Sequence, residues 1–344
     1  MSSATDNIVI ALDAMGGDFA PQSVIHGADF FYNNLLNCDQ KVFFHIYGDQ
    51  SKVLPLLVQC SQLKNNFKFI NCSDNVLAND RPSFALRYRK GSSMKAAIDS
   101  VKSGKTSGVV SAGNTGALMA ISRFTLGTLS NIYRPAIISM CPTKSKNFVL
   151  LDLGANVDCS ANILFQFALM GSIFAKIVLK VENPQVALLN IGSEEIKGTD
   201  SVRKAFKLLK DASNMINFKG YIEASEFLDG MVDVIVADGF VGNVMLKTAE
   251  ATASTIIDIV KKELSNSLVT KFLSLLLKTR LNKALSRFNP KIRNGAIFLG
   301  LNGIVVKSHG NSDSIAFAHA IKFAVDIIHS DLNDKIINGV SNIE

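Results

Sequence analysis

The sequence predicts an α/β fold of three layers, with helices on both faces of a mostly parallel sheet, on three observations. Short apolar runs alternate with helix-like segments along the chain. Several of these runs are apolar throughout, the pattern of strands covered on both faces. Most are followed by a turn carrying glycine with Asp or Asn, and the crevice outside the carboxyl ends of parallel strands is where such sheets bind ligands.

The strand candidates are, in order, "IVIAL", "KVFFHIYG", "FKFINC", "GVVSAG", "PAIISM", "NFVLLDLG", "QVALLNIG", "VDVIVADG" and "AIFLGLNGIVV". Between them, residues 22–36, 92–101, 162–179, 201–211, 243–265 and 313–329 place apolar side chains at spacings of three and four, which is helical patterning. No repeat, low-complexity tract or Pro/Gly/Ser linker divides the chain. One domain is therefore expected over 1–335, with a C-terminal tail at 336–344.

Apolar residues make up 48% and charged residues 19%, a globular profile. The net charge of +7 favours an acidic partner. Nucleic acid is not expected, since there is no long basic tract and no zinc-finger, RNP or KH signature. Five widely spaced cysteines without a CxxC suggest neither a disulfide framework nor a zinc cluster, and a reducing cytosol suits them. The start of the chain lacks the charged and apolar regions of a signal peptide. Two uncharged stretches, 106–122 and 159–175, are short for a membrane span and contain Asn, so they read as buried core.

The turns after the strands carry the candidate site. "LDAMGGD" supplies Asp13, Gly16, Gly17 and Asp18; "SAGNTGA" supplies Ser111, Gly113, Asn114, Thr115 and Gly116; "LDLGANVD" supplies Asp152 and Asn156; "ADGFVGN" supplies Asp238 and Asn243; "LNGIVVKSHGNSD" supplies Asn302, Lys307 and His309. Singly, each is ordinary turn and capping chemistry. Six such turns, counting "NIGSEEIKG", crowded at one sheet edge would converge on one crevice. "SAGNTGALMA" is the best anion cradle, since its glycines admit the backbone closely and Asn114 or Thr115 can open a helix whose first amides bind phosphate.

The blocks "IALDAMGGDFAP", "SSMKAA", "SAGNTGALMA", "RPAI", "LDLGANVDC", "QFALMGS", "NIGSEEIKG", "DGFVGNVMLKT" and "GLNGIVVKSHG" resemble, in order, those of the PlsX family, the acyl-carrier-protein:phosphate acyltransferases of bacterial phospholipid synthesis. The resemblance implies transfer of a long-chain acyl group from acyl carrier protein to inorganic phosphate. The acyl phosphate would feed a membrane glycerol-3-phosphate acyltransferase. It further implies a homodimer, a fold similar to phosphotransacetylases and isopropylmalate dehydrogenases, a cytoplasmic location with peripheral contact at the inner face of the membrane, and no metal or organic cofactor. Two departures occur: Phe19 stands where the family often has His, and Arg81 where Lys is more usual. No proton transfer can depend on position 19.

Phosphate is itself a nucleophile, so attack on a thioester needs positioning and oxyanion stabilisation, with no covalent intermediate. Accordingly there is no GxSxG elbow. Lys197 and Lys307 are the cations placed near phosphate, with surface ion pairs as the alternative; Lys247 borders the cleft from a helix, and Arg134 is either a clamp or a surface residue. His309 orients phosphate, protonates the departing thiolate or fixes its loop. Cys159, beside Asp158, is expected to pack, because a neighbouring acid disfavours thiolate. A small-acyl phosphotransacetylase or a nucleotide-using dehydrogenase would share this architecture; a membrane-surface scaffold would not require these polar turns.

Residues 264–288 combine a leucine-rich stripe with Lys271, Lys278, Arg280, Lys283 and Arg287. They are expected to form an amphipathic helical excursion, either packed on the core or the dimer partner or dipping into a bilayer beside anionic head groups.

Overall fold

The computed structural model describes residues 7–37, 40–63, 65–264 and 294–341. All but the first residue of the 264–288 excursion lies outside them. The first half of the chain runs β1 (Ile8–Asp13), α1 (Gln22–Asn34), β2 (Val42–Gly48), α2 (Gln50–Leu57), β3 (Phe67–Asn71), α3 (Pro82–Tyr88), α4 (Ser93–Lys102), β4 (Gly108–Ser111) and α5 (Thr115–Leu126). It continues with β5 (Ala136–Pro142), β6 (Asn147–Leu151), α6 (Ala161–Val178), β7 (Gln185–Asn190), α7 (Asp200–Asp211), β8 (Asn217–Glu223), β9 (Val234–Val236) and α8 (Gly239–Leu264). After the undescribed stretch come β10 (Ala296–Leu299), β11 (Ile304–Lys307), α9 (Ser314–His329) and α10 (Leu332–Val340).

All described strands join one 11-stranded sheet in the order β3-β2-β1-β4-β11-β10-β5-β6-β9-β7-β8. Successive strand residues feed opposite layers, as the pleat requires. Ile10, Leu12, Val110 and Ile138 enter one core, with side chains from α1, α6 and α9. Ala11, Val109 and Ile137 enter the other, with α4 and α5. This two-sided burial is what the uniformly apolar runs anticipate. The apolar stretch 159–175 falls largely in α6, which is long and apolar enough to cross a membrane by length and composition, yet packs Phe167, Met170 and Phe174 into the first core.

The structure departs from the sequence reading in three ways. The run "AIFLGLNGIVV" is two strands, β10 and β11, paired antiparallel around a turn in which Gly300 and Gly303 have positive φ. The expected tail from residue 336 is instead helical to Val340, with Ile336 and Val340 buried against the core. Most consequentially, β5 is antiparallel to both β10 and β6. Strand direction therefore inverts across the centre, and the six glycine turns do not share an edge. Those after β1, β4 and β11 lie at one edge; those after β6, β7 and β9 lie at the other.

Helix α8 spans the two edges. It leaves the end of β9 at the second edge, and the 11 helical steps from Gly239 to Glu250 rise about 16 Å. Its first turn is pressed onto the sheet: a Cβ at Gly242 would lie 2.0 Å from the carbonyl oxygen of Asp152. Gly242→Ala must displace backbone, and by analogy with overpacked cores it is expected to cost about 1–3 kcal/mol. Gly91→Ala, where nothing stands within 4 Å, should be close to neutral. Paired thermal melts check this, and equal Tm values would show that α8 is not seated as described.

Candidate active site

The loops after β1, β4 and β11 meet at one point. Asp13, 1% exposed at the end of β1, accepts Ser93 Oγ at 2.6 Å on one carboxylate oxygen and Ser111 Oγ at 2.7 Å on the other. Ser111 Oγ accepts the Gly113 amide at 3.1 Å, which carries the organisation into the next loop. Gly16 lies so close that a Cβ there would meet the Gly113 nitrogen at 2.6 Å and Asp13 Oδ2 at 2.7 Å; Gly17, at φ +107°, faces Ala112 and the Gly310 carbonyl. The Asp18 amide donates to that carbonyl at 2.8 Å. Burial raises the Asp13 pKa, an effect that the hydrogen bonds from Ser111, Ser93 and the Met15 amide oppose.

Asn114 caps α5 by accepting the Ala117 amide at 3.0 Å, while its Nδ2 donates to the carbonyls of Ala78 at 2.8 Å and Asp80 at 3.0 Å. Its side chain is thus consumed in local structure. Thr115 and Gly116, at the opening of the helix, line the cleft, where first-turn amides lack intrahelical acceptors.

Lys307 ends β11 and donates to the carbonyls of Ala112, at 3.2 Å, and Ser308. A lysine has three donors, so one N–H remains for a ligand. Burial and the Lys247 charge hold its pKa down to about 8, against the opposing pull of Asp13 and Asp18. The acids of the opening turn thus have Lys307 as their cationic neighbour. His309 is positioned by its amide, which donates to Asn294 Oδ1 at 2.9 Å, and its Nε2 stands 3.6 Å from Glu250 Oε1 on α8. The other Glu250 oxygen accepts Lys247 Nζ at 2.7 Å. Burial, Lys247 and Lys307 lower the His309 pKa and Glu250 raises it, so the neutral imidazole is favoured at neutral pH.

These groups open onto a cleft of about 2050 Å³ lined largely by apolar side chains. Its floor includes Ile137, Ser139 and Cys141, alternate residues of the central strand β5; its walls are α5 and α8. Because the cleft lies along the sheet face, it collects residues from both edges: Lys307 and His309 from one, Asp238 and Asn243 from the other.

Other candidates are placed differently. Asp152, 0% exposed, accepts the amides of Ile137, Ala155 and Asn156 and the Asn156 side chain, and Asn156 also donates to the Pro135 carbonyl. These two residues stitch strand ends together, with both Asp152 carboxylate oxygens and the Asn156 side-chain nitrogen engaged. Asp238 caps α8 through the Val241 amide. Lys197 is exposed on the loop after β7 and does not line the cleft. Asn302 precedes β11, at the opposite end of that strand from Lys307. Arg134 contacts only the Asp158 carbonyl, at 3.4 Å, among its described hydrogen bonds. The Cys159 thiol is pushed up to about 12 by burial, Asp152 and Asp238, so the acids acting on it are not the adjacent Asp158. Glu250 and Asn294 are missing from the sequence reading, and Ser93 enters it only within the block "SSMKAA", with no role assigned. A serine inside the first turn of α4, just after the Ser92 cap, is the one local signal that was available.

The fold is a three-layer α/β architecture similar to that of the phosphotransacetylases. A phosphotransacetylase from Streptococcus pyogenes superposes with a TM-score of 0.62 at 17% identity, over 94% of this chain and 95% of that one. EutD phosphotransacetylase from Staphylococcus aureus does so with 0.59 at 17%, over 93% of each. At such identities the likeness is one of fold. The family model described as "Fatty acid synthesis protein" matches residues 8–335, and the chain belongs to that family, the PlsX family its blocks resemble. A phosphate acyltransferase of Wolbachia sp. subsp. Drosophila simulans (strain wRi) is 73% identical over 100% of both chains. That of Ehrlichia ruminantium (strain Gardel) is 61% identical over 96% of this chain and 97% of its own.

Two outcomes test the site. The Lys307 charge is disfavoured by folding, because its pKa falls from 10.5 to about 8; the associated stability is present above pH 10.5 and lost as pH falls through 8. Lys307→Met should therefore melt higher than the parent at pH 7, with the gap closing toward pH 10.5, while kcat/KM falls about 10²–10³-fold. Unchanged kinetics would remove Lys307 from the site. Glu250→Gln withdraws the charge that raises the His309 pKa, so the acid limb of the kcat/KM profile should move to lower pH, and Glu250→Asp should restore it. A limb that stays put in Glu250→Gln uncouples the pair.

Proposed function

We propose that the chain transfers a long-chain acyl group from the thioester of acyl carrier protein to inorganic phosphate, giving acyl phosphate and the free thiol. The observation that carries this reading is the juxtaposition of Lys307, tied to two carbonyls where three strand-end loops meet, with a long apolar cleft. A cation and helix-start amides suit phosphate; the apolar walls suit an acyl chain. The names of the relatives point the same way.

A hydrogen phosphate oxygen attacks the thioester carbon, forming the C–O bond. The tetrahedral oxyanion collapses and the C–S bond breaks, while the phosphate proton ends on the thiol. Lys307 compensates the developing negative charge. His309, favoured in its neutral form, is suited to take the phosphate proton and return it to sulfur. Asp13 acts indirectly, by orienting Ser111 and the Gly113 loop. No acyl-enzyme is required, and the raised Cys159 pKa suits that economy.

A homodimer would cover Ile259, an exposed apolar residue of α8 that does not line the cleft. The product is an amphipathic anion, and a membrane glycerol-3-phosphate acyltransferase as its consumer would suit an enzyme in the cytoplasm with peripheral contact at the inner face of the membrane.

Incubation with long-chain acyl-[acyl carrier protein] and labelled phosphate, followed by hydroxylamine trapping, tests the reading. Phosphate-dependent hydroxamate is expected. Thiol release that does not need phosphate, or no acyl phosphate at all, overturns it.

A further inference from the structure

Helix α3 packs on α5, and together they border the cleft: Pro82 of α3 and Met119, Arg123 and Phe124 of α5 line it. Their outer surface is cationic and aromatic. Arg81, Arg87, Lys90 and Arg123 are exposed and make no ion pair among the described residues. The neighbouring acids Asp74 and Asp80 are both occupied by Arg89, at 2.9 Å each. Counting Arg89, five cations stand against two acids here, a surplus of three positive charges among the described residues. Among them stand Tyr88, 67% exposed, and Phe124, 76% exposed.

We infer that this α3/α5 surface is the docking site for an acidic protein partner, which on the function proposed above is the carrier delivering the acyl thioester. Charge complementarity is the first argument, since a surplus of uncompensated cations selects an acidic surface and speeds encounter. Position is the second. A carrier that feeds its acyl chain into the cleft must rest at the rim, and this patch is the rim. From Arg123 back to Gly116, where α5 opens beside the strand-end loops, seven residues of helix span about 10 Å, a distance that a thioester on a flexible prosthetic arm can cover. Composition also favours a protein over a bilayer: Arg, Tyr and Phe are the residue types enriched at protein–protein interfaces, and here Phe84 and Tyr88 lie 4.9 Å apart with the Arg89 guanidinium 5.6 Å from the Phe84 ring.

The double variant Arg87→Glu/Lys90→Glu reverses two of the cations without touching a cleft-lining residue. The expected result is a KM for long-chain acyl carrier protein raised about tenfold or more with kcat nearly unchanged, and a loss of the salt dependence of KM seen in the parent. Kinetics with a carrier-free acyl-pantetheine thioester should match the parent. Fluorescence anisotropy with labelled, unacylated carrier separates docking from chemistry: loss of binding in the variant sustains the surface even if no acyl phosphate forms. Equal carrier affinity in parent and variant overturns the inference. So does reduced co-sedimentation with anionic phosphatidylglycerol vesicles at unchanged carrier KM, which would assign the patch to lipid.

Discussion

Asp13 has both carboxylate oxygens engaged by serine hydroxyls from segments 80 and 98 residues away in the chain. A buried carboxylate is costly unless its hydrogen bonds are made, and removing any one partner leaves the rest of that cost behind. The requirement fixes α4 and the end of β4 against the end of β1. Once they are fixed, the Gly16–Gly113 approach follows, because only residues without side chains fit in the space left. Lys307 and His309 then enter from β11 onto a floor already set.

The second constraint is directional. With β5 and β10 running against their neighbours, the sheet carries two sets of parallel strands pointing opposite ways. A ligand crevice at one edge could see only one set. The cleft instead runs along the face between α5 and α8, which start at opposite edges, so Lys307 and His309 sit toward one end and a long apolar trough extends from them. An elongated substrate with one polar terminus matches that arrangement, whereas a compact polar one would leave most of the trough wetted and apolar.

Much of this was legible in the sequence. Apolar runs located most of the strands, since two-sided burial leaves an unmistakable composition, and the glycine-punctuated motif "KSHG" marked Lys307 and His309. Strand β8 went unseen because an edge strand such as "NFKGYIE" is only partly buried. Direction went unseen because an apolar run looks the same whichever way it points, which is why six turns were placed at one edge. Asp152 and Asn156 looked like ligands because polar residues after a strand look alike whether they face a cleft or bind backbone. Glu250 reads from sequence as an ordinary helix-surface acid three residues after Lys247, and only the path of α8 across the sheet brings it to His309.

That path has a mechanical side. Helix α8 is pinned where Gly242 meets the Asp152 carbonyl, and apart from Gly239 and Gly242 none of its described residues is fully buried. Met245 and Leu246 are partly buried against the second core, so its first two turns hold it, with Glu250 about 12 Å beyond Gly242. A tilt of about 5° about Gly242 would carry that carboxylate by about 1 Å relative to His309. A load on the outer turns would thus alter the field at an imidazole that none of them touches.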